Sequence, residues 1–191
     1  MCDKSETHKD CRGLNAFNLV QDGQAKRPVM VWLHGGGFVL SLGGAPGLYS
    51  GNLYRAGDLV VVTLNHRLKV FGFVYFSDED ERFAQPDAAG MLDIVQALEW
   101  VRDNIAVFGG DPNNVTIFSQ SGGGSMVAIM MTMPRATGLF HKAIIQSASS
   151  LLQLATSKCA SRSMYYLRQA LDVKSTEAIQ NLSTDVFLQG Y

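Results

Sequence analysis

Short apolar runs alternate along the chain with segments of helical periodicity. Val29–Leu33 and Leu59–Leu64 are continuous apolar runs, and this pattern is typical of strands covered on both faces of a parallel sheet. Val115–Phe118 is a β-branched and aromatic run and predicts a third strand. Leu14–Val20 and Ala143–Gln146 are predicted as two further strands.

Helical spacing of apolar residues predicts a helix over Gly90–Phe108, which the turn-forming residues 109–114 should end. Further helices are predicted at about Gly122–Met133, Lys158–Leu171 and Ser175–Leu182. We find no internal repeat, low-complexity tract or linker in the sequence. The alternation of strands and helices therefore predicts an α/β fold, a mainly parallel sheet with helices on both faces, in one domain over residues 1–191.

Composition narrows the classes of protein that need to be considered. The chain has 191 residues, of which 47% are apolar and 17% charged, as expected for a compact globular domain. The formal net charge of −1 gives no reason to expect nucleic acid or an anionic membrane as a partner. No apolar run approaches the roughly 20 residues of a membrane span. Three cysteines are too few and too irregularly spaced for a disulfide scaffold or a zinc site, and no metal or cofactor is predicted.

The segment VTIFSQSGGGSM, residues 115–126, turns abruptly from strand to helix at a serine. Such a turn exposes the serine Oγ at the cost of backbone strain, which is tolerated only where residues two before and two after are small. Those residues are Ser119 and Gly123, so the pattern is S-x-S-x-G instead of the usual G-x-S-x-G. Ser121 is the predicted nucleophile, and the turn should aim the N–H of Gly122 at the space above it. Taken alone, the segment also suits a glycine-rich turn of a nucleotide-binding fold.

A second glycine-rich segment, His34-Gly35-Gly36-Gly37-Phe38, directly follows the Val29–Leu33 strand. Three consecutive glycines let the backbone present N–H groups at close range. A flexible loop or a phosphate-binding turn is the alternative, but the G-x-G-x-x-G spacing and the P-loop lysine are not convincingly present. A glycine loop after one strand and a serine turn after a later one favour a serine hydrolase.

Several long segments resemble the type-B carboxylesterases, a family of α/β-hydrolases that includes the cholinesterases. They are VMVWLHGGGF, VVVTLNHRLKVFGF, GMLDIVQALEWVRDNIAVFGGDPNNVTIF and GLFHKAIIQSAS, and the likeness covers most of the chain. The resemblance implies a partial α/β-hydrolase sheet and a carboxylic-ester hydrolase that forms an acyl-enzyme, with a small-molecule ester as substrate.

The resemblance also implies roles for particular residues. Ser121 would be the nucleophile, and the N–H groups of Gly36, Gly37 and Gly122 would form the oxyanion hole. His34 and Gly35 would support that loop. Gln120 stands before the nucleophile, where the family often has glutamate, so a negative charge near the site is absent. Ser147 and Ser149 are either supporting residues from a neighbouring strand or ordinary packing.

The remaining members of a catalytic triad are missing from this sequence. In α/β-hydrolases the chain order is nucleophile, acid, histidine. The histidines are His8, His34, His66 and His141, and only the last follows Ser121, with no aspartate or glutamate between them. None of the acidic residues after His141 is followed by a histidine. Members of the family are much longer, so the resemblance implies an internal fragment, truncated before the acid and the base, whose own activity is doubtful.

Two functional readings remain open at this stage. The first is an esterase whose acid and histidine come from outside these residues. The second is a catalytically silent fragment or a binding or adhesion domain, since some relatives of the family have that role without the nucleophile. Retention of Ser121 together with the glycine loop favours the first reading for the parent protein.

Overall fold

The computed structural model describes residues 12–19, 22–39, 50–76, 88–148, 155–183 and 186. These residues form a five-stranded sheet. In chain order its strands are β1 (Gly13–Phe17), β2 (Arg27–Trp32), β3 (Val60–Asn65), β4 (Gly110–Gln120) and β5 (Lys142–Gln146). Across the sheet the order is β1-β3-β2-β4-β5. Only β1 runs antiparallel to its neighbour, so the predicted mainly parallel sheet is confirmed.

Helices connect and cover the strands. In chain order they are α1 (Ser50–Gly57), α2 (Lys69–Phe73), α3 (Ala89–Asn104), α4 (Gly122–Met130), α5 (Ser157–Leu171) and α6 (Thr176–Asn181). The last two begin at capping side chains, because Thr156 accepts a hydrogen bond from the N–H of Cys159 and Ser175 accepts one from Ala178. Within the described residues, no helix is long and apolar enough to span a membrane.

The core lies around β2, β3 and β4. Every residue of β3 from Val60 to Leu64 is buried, which means that both faces of the sheet are covered at its centre. The buried face of α3 carries Met91, Ile94, Leu98 and Val101 in the same apolar cluster. A second, smaller cluster joins α2, α5 and α6 through Met164 and Ile179.

The predicted strands and long helices are confirmed with shifted ends, and two helices were not predicted. The helix expected over Gly90–Phe108 ends at Asn104 and continues as one 3₁₀ turn, Ile105–Phe108. The helix after Ser121 ends at Met130, three residues earlier than expected. Helices α1 and α2 are eight and five residues long, too short to show a clear apolar period. Val20 of the predicted first strand lies outside the described residues.

The turn predicted over residues 109–114 is partly wrong. Gly109 does make a left-handed turn, but β4 already begins at Gly110, which pairs with Arg27. The next pair of the same two strands is Val29 with Val115, so the residues between form an irregular insertion in the ladder. The N–H of Asn113 donates to the carboxylate of Asp111 there. The turn chemistry in the sequence therefore builds a bulge inside a strand.

Candidate active site

The register of β2 and β4 brings the glycine loop and the serine turn to the same edge of the sheet. Trp32 lies opposite Phe118, and the N–H of Leu33 donates to the Phe118 carbonyl at 3.1 Å. His34 comes two residues after Trp32, and Ser121 comes three residues after Phe118. Because the strands are parallel, both segments leave the sheet at its carboxyl edge, where α/β folds place their ligands.

Ser121 has a backbone conformation that side chains rarely adopt. Its φ is 60° and its ψ is −131°, between the end of β4 and the first residue of α4. Such a conformation costs on the order of 1–3 kcal/mol and persists only where neighbouring bonds enforce it. The N–H of Ser121 donates to the Gln146 carbonyl of β5 at 2.9 Å, and the N–H of Ser125 donates to the Ser121 carbonyl at 3.2 Å. These bonds hold the half-exposed serine in the strained turn that the sequence predicted.

Ser119 takes the place of the first glycine of the usual motif, and its side chain makes a structural hydrogen bond. It is completely buried, and its hydroxyl donates a hydrogen bond to the Leu33 carbonyl. This bond ties the end of β4 to the start of the glycine loop. The hydroxyl also fills the space beside Gly123, where an added Cβ would overlap Ser119 Oγ and lie 2.7 Å from the His34 carbonyl oxygen. Residue 123 must therefore be glycine in the presence of Ser119.

The glycine loop packs directly against the serine turn. A Cβ added at Gly35 would lie 2.9 Å from the Gln120 carbonyl oxygen and 3.6 Å from Ser121 Cβ. A Cβ added at Gly122 would lie 2.9 Å from the Gly37 nitrogen and 3.0 Å from its Cα. Backbone therefore contacts backbone on both sides of Ser121, and the predicted site residues of the two segments are brought together.

The backbone amides of Gly36 and Gly37 are available on the surface of this site. Both residues are exposed and have positive φ angles of 103° and 62°. Neither N–H donates a hydrogen bond to another group in the part of the chain that the structure describes. Gly122 is the first residue of α4, and the first N–H groups of a helix have no partner within the helix. Three amide donors thus lie around the serine turn.

His34 is buried below the glycine loop, stacked on a second histidine, His66, which follows β3. The ring centroids are 4.3 Å apart and the planes are inclined by 9°. Each Nδ1–H donates to the carbonyl of the next residue, Gly35 or Arg67, at 3.0 Å. Burial lowers the pKa of His34. For His66, burial and then the charge of the neighbouring His34 ring lower the pKa from 6.5 to about 4. Both rings are therefore neutral at pH 7.

Among the described residues, no histidine forms a hydrogen bond with the hydroxyl of Ser121. His34 and His66 use their Nδ1–H groups on carbonyls, and neither bonds to the Ser121 hydroxyl in the described residues. His141 accepts a hydrogen bond from the N–H of Val115, six residues before Ser121 on β4. At about 3.3 Å per residue, that is about 20 Å from the serine. His8 lies outside the described residues.

The other predicted supporting residues differ in their distance from the serine turn and in whether the structure describes them. Gln120 is exposed at the end of β4, with its side-chain oxygen near Gly35. Ser147 is exposed and follows β5 with a positive φ of 46°, and Ser149 lies outside the described residues. Sequence reasoning missed the buried hydroxyl of Ser119 and the stacking of His66. The departure from G-x-S-x-G was the only sequence signal for the role of Ser119. No local pattern indicated the stacking of His66.

Comparison with known proteins identifies the family of this chain. The model of the carboxylesterase family matches residues 1–185. The chain is 49% identical over 144 residues to the para-nitrobenzyl esterase of Bacillus subtilis, covering 74% of this chain and 28% of that protein. It is 45% identical over 150 residues to the liver carboxylesterase of Sus scrofa, covering 76% and 25%.

Solved structures show the same fold. A carboxylesterase of Geobacillus stearothermophilus superposes with a TM-score of 0.92 at 36% identity, covering 99% of this chain and 40% of that one. The fold is thus part of an α/β-hydrolase, and the chain spans between a quarter and two fifths of the length of these relatives. With a family match that extends over nearly all of its length, the chain belongs to the carboxylesterase family.

Proposed function

We propose that this chain carries the nucleophile and the oxyanion hole of a carboxylic-ester hydrolase acting on small-molecule esters. Ser121 attacks the ester carbonyl, the N–H groups of Gly36, Gly37 and Gly122 stabilise the oxyanion, and water releases the acyl-enzyme. The 191 residues are then part of one α/β-hydrolase domain. The close packing of Gly37 against Gly122 beside the strained Ser121 is the observation that carries this proposal.

The acid and the histidine of the triad come, in this proposal, from sequence outside these residues. The chain order of α/β-hydrolases supports this proposal, as does the position of His141 beside Val115, about 20 Å along β4 from Ser121. The greater length of the relatives is consistent with it. Without a base, a chain keeps only the roughly 10³–10⁴-fold acceleration that the oxyanion hole and binding provide. We therefore expect the isolated chain to be a very poor esterase.

A chimera tests the proposal without requiring activity from the isolated chain. The segment of the Bacillus subtilis para-nitrobenzyl esterase that aligns with this chain is replaced by the corresponding residues of this chain. We expect the chimera to hydrolyse a para-nitrobenzyl ester and to react with a fluorophosphonate at Ser121. Peptide mapping by mass spectrometry locates the adduct.

Two variants of the chimera serve as controls. Ser121→Ala should abolish both hydrolysis and labelling, because the neighbouring Ser119 hydroxyl is buried and bonded to the Leu33 carbonyl. Thr132→Ala removes an exposed hydroxyl that bonds to the Ile129 carbonyl near the end of α4 and should leave both unchanged. A folded chimera that is inactive, or that is labelled equally well after Ser121→Ala, would contradict the proposal.

A further inference from the structure

Four aromatic rings connect the two ends of the glycine loop. His34 and Phe38 flank Gly35–Gly37 in the sequence, and two rings from elsewhere join them. His34 stacks on His66 at 4.3 Å, His66 meets the edge of Phe73 at 6.3 Å, and Phe73 meets Phe38 edge-on at 5.0 Å. We name His34, His66, Phe73 and Phe38 the aromatic bracket.

Two members of the bracket, His66 and Phe73, are held in place by contacts with α3. The Nδ1–H of His66 donates to the Arg67 carbonyl, and the Arg67 guanidinium pairs with the buried Asp93 of α3 at 2.7 Å. Phe73 is the last residue of α2 and packs against Gly90 of α3, where an added Cβ would lie 2.8 Å from the ring. Helix α3 therefore supports both rings.

The other two members, His34 and Phe38, flank the glycines, and hydrogen bonds hold the loop backbone at both positions. The Nδ1–H of His34 holds the Gly35 carbonyl at 3.0 Å, and the Phe38 carbonyl accepts a hydrogen bond from the N–H of Lys69 at 2.9 Å. Between them Gly36 and Gly37 lack side chains and make no strand pairing. Besides the two ends, the loop is held by a hydrogen bond from the Val39 N–H to the Gly36 carbonyl at 3.0 Å and by the contact of Gly37 with Gly122. A loop of this kind needs external support to keep its donors preorganised.

We propose that His66 and Phe73, which stand outside the glycine loop, are positioning residues that fix both ends of Gly35–Gly37 and so orient its amide groups. The inference rests on the proposed function for its catalytic consequence, but the orientation of the loop is measurable on its own. The ring of His66 matters here as a flat surface against His34. Phenylalanine at position 66 should therefore preserve the contact, and alanine should lose it.

Amide NMR spectroscopy of the ¹⁵N-labelled 191-residue chain tests the orientation of the loop. In His66→Ala we expect the signals of Gly36 and Gly37 to shift and the Nδ1–H of His34 to exchange faster. His66→Phe should restore both towards the wild type. Phe73→Ala should move the same glycine signals from the other end of the loop.

Val62→Ala is the matched control, because Val62 is fully buried on β3, four residues before His66, and lies outside the bracket. It removes core volume and should leave the glycine signals in place. If His66→Ala does not fold, Phe73→Ala compared with Val62→Ala decides the question. Glycine signals that move equally in Val62→Ala, or that fail to recover in His66→Phe, would overturn the proposal.

The chimera supplies a second readout. There His66→Ala should lower kcat roughly 10- to 100-fold with KM within about twofold, since misaligned oxyanion donors weaken transition-state binding alone. His66→Phe should recover most of kcat. An unchanged kcat in His66→Ala would count against the proposal. If the chimera without these changes is inactive, the proposed function fails, and the NMR comparison still decides whether the bracket positions the loop.

Discussion

At the scale of single residues, the site combines a strained backbone at the serine with closely packed, buried side chains around it. Ser121 sits at a positive φ, and Ser119 and Gly123 fit each other so closely that neither position tolerates added bulk. Below them, His34 and His66 are two neutral imidazoles with almost no exposure to solvent. In both rings Nε2 has no hydrogen-bond partner among the described residues. A proton added to either ring would place a charge in the core with no hydrogen-bond acceptor for Nε2 among the described residues.

The buried histidine pair predicts that the protein loses stability in mild acid. The folded pKa of His66 is about 4 and its ordinary value is 6.5, so between these values the unfolded chain binds more protons than the native one. The free energy of unfolding should therefore fall as pH is lowered from 6.5 to 4, by on the order of 3 kcal/mol. Urea unfolding at a series of pH values measures this.

The variant His66→Phe is the comparison for that titration. Asp93 and Arg67, the charged groups near His66, remain in the variant. Its stability should depend less steeply on pH over the same interval, because one of the two buried imidazoles is gone. Equal slopes in the two proteins would show that His66 does not contribute to the acid sensitivity.

At the scale of elements, an ion pair between the partly exposed Arg67, just after β3, and the buried Asp93 of α3 joins these two elements. Asp93 accepts hydrogen bonds from the backbone N–H, Nε and Nη2 of Arg67, all within 2.9 Å. Arg12, just before β1, adds a weaker contact at 3.9 Å. The pair fixes the segment that leads from β3 to α2, and hence the positions of His66 and Phe73. Its role is to set the geometry between elements, since a buried pair by itself adds little net stability.

Removing one partner of this pair should lower the free energy of unfolding by more than the intact pair contributes to it. We expect Asp93→Asn to lower the free energy of unfolding by about 1–3 kcal/mol, because an amide replaces the buried carboxylate that accepts three hydrogen bonds from Arg67. Asp103→Asn is the control, as Asp103 pairs with Arg102 on the surface of the same helix and its loss should not be measurable. Chemical denaturation compares the two, and similar midpoints would contradict the role given to Asp93.

At the scale of the whole molecule, the interior of the sheet and its β5 edge differ in burial. β3 is buried on both faces, whereas most of β5 is exposed and lies at the edge of the described sheet. Ile144 and Ile145 point to opposite faces of β5 and are 43% and 42% exposed. An apolar edge strand with free backbone groups is a template for pairing with another chain.

We expect the isolated chain to self-associate through β5. Ile145→Glu should shift the population towards monomer in sedimentation velocity experiments. Val107→Glu is the matched control, since it makes the same change of charge at a 67% exposed apolar residue outside the strands. If both variants reduce association equally, net charge is the cause and β5 is not the contact.

Local pattern was enough to predict much of this fold. Continuous apolar runs identified β2 and β3, the β-branched run identified the core of β4, and helical spacing identified α3, because each pattern reflects burial of one element against a sheet. The short helices α1 and α2 escaped prediction, since five to eight residues carry too little periodicity. The residues of the bulge in β4 read as a turn, since only pairing with β2 makes them part of a strand.

The sequence by itself determined that Ser121 stands at a strand-to-helix turn and that a run of glycines follows another strand. Both are local features, written in residues a few positions apart. Only the tertiary structure decided that Gly37 packs against Gly122, that Ser119 bonds to Leu33, and that His66 stacks on His34. Each of these contacts joins chain segments at the ends of different strands, and the distance between those segments depends on strand order and register. No local pattern specifies those, because the parallel pairing of β2 with β4 and with β3 arises only when the whole sheet assembles.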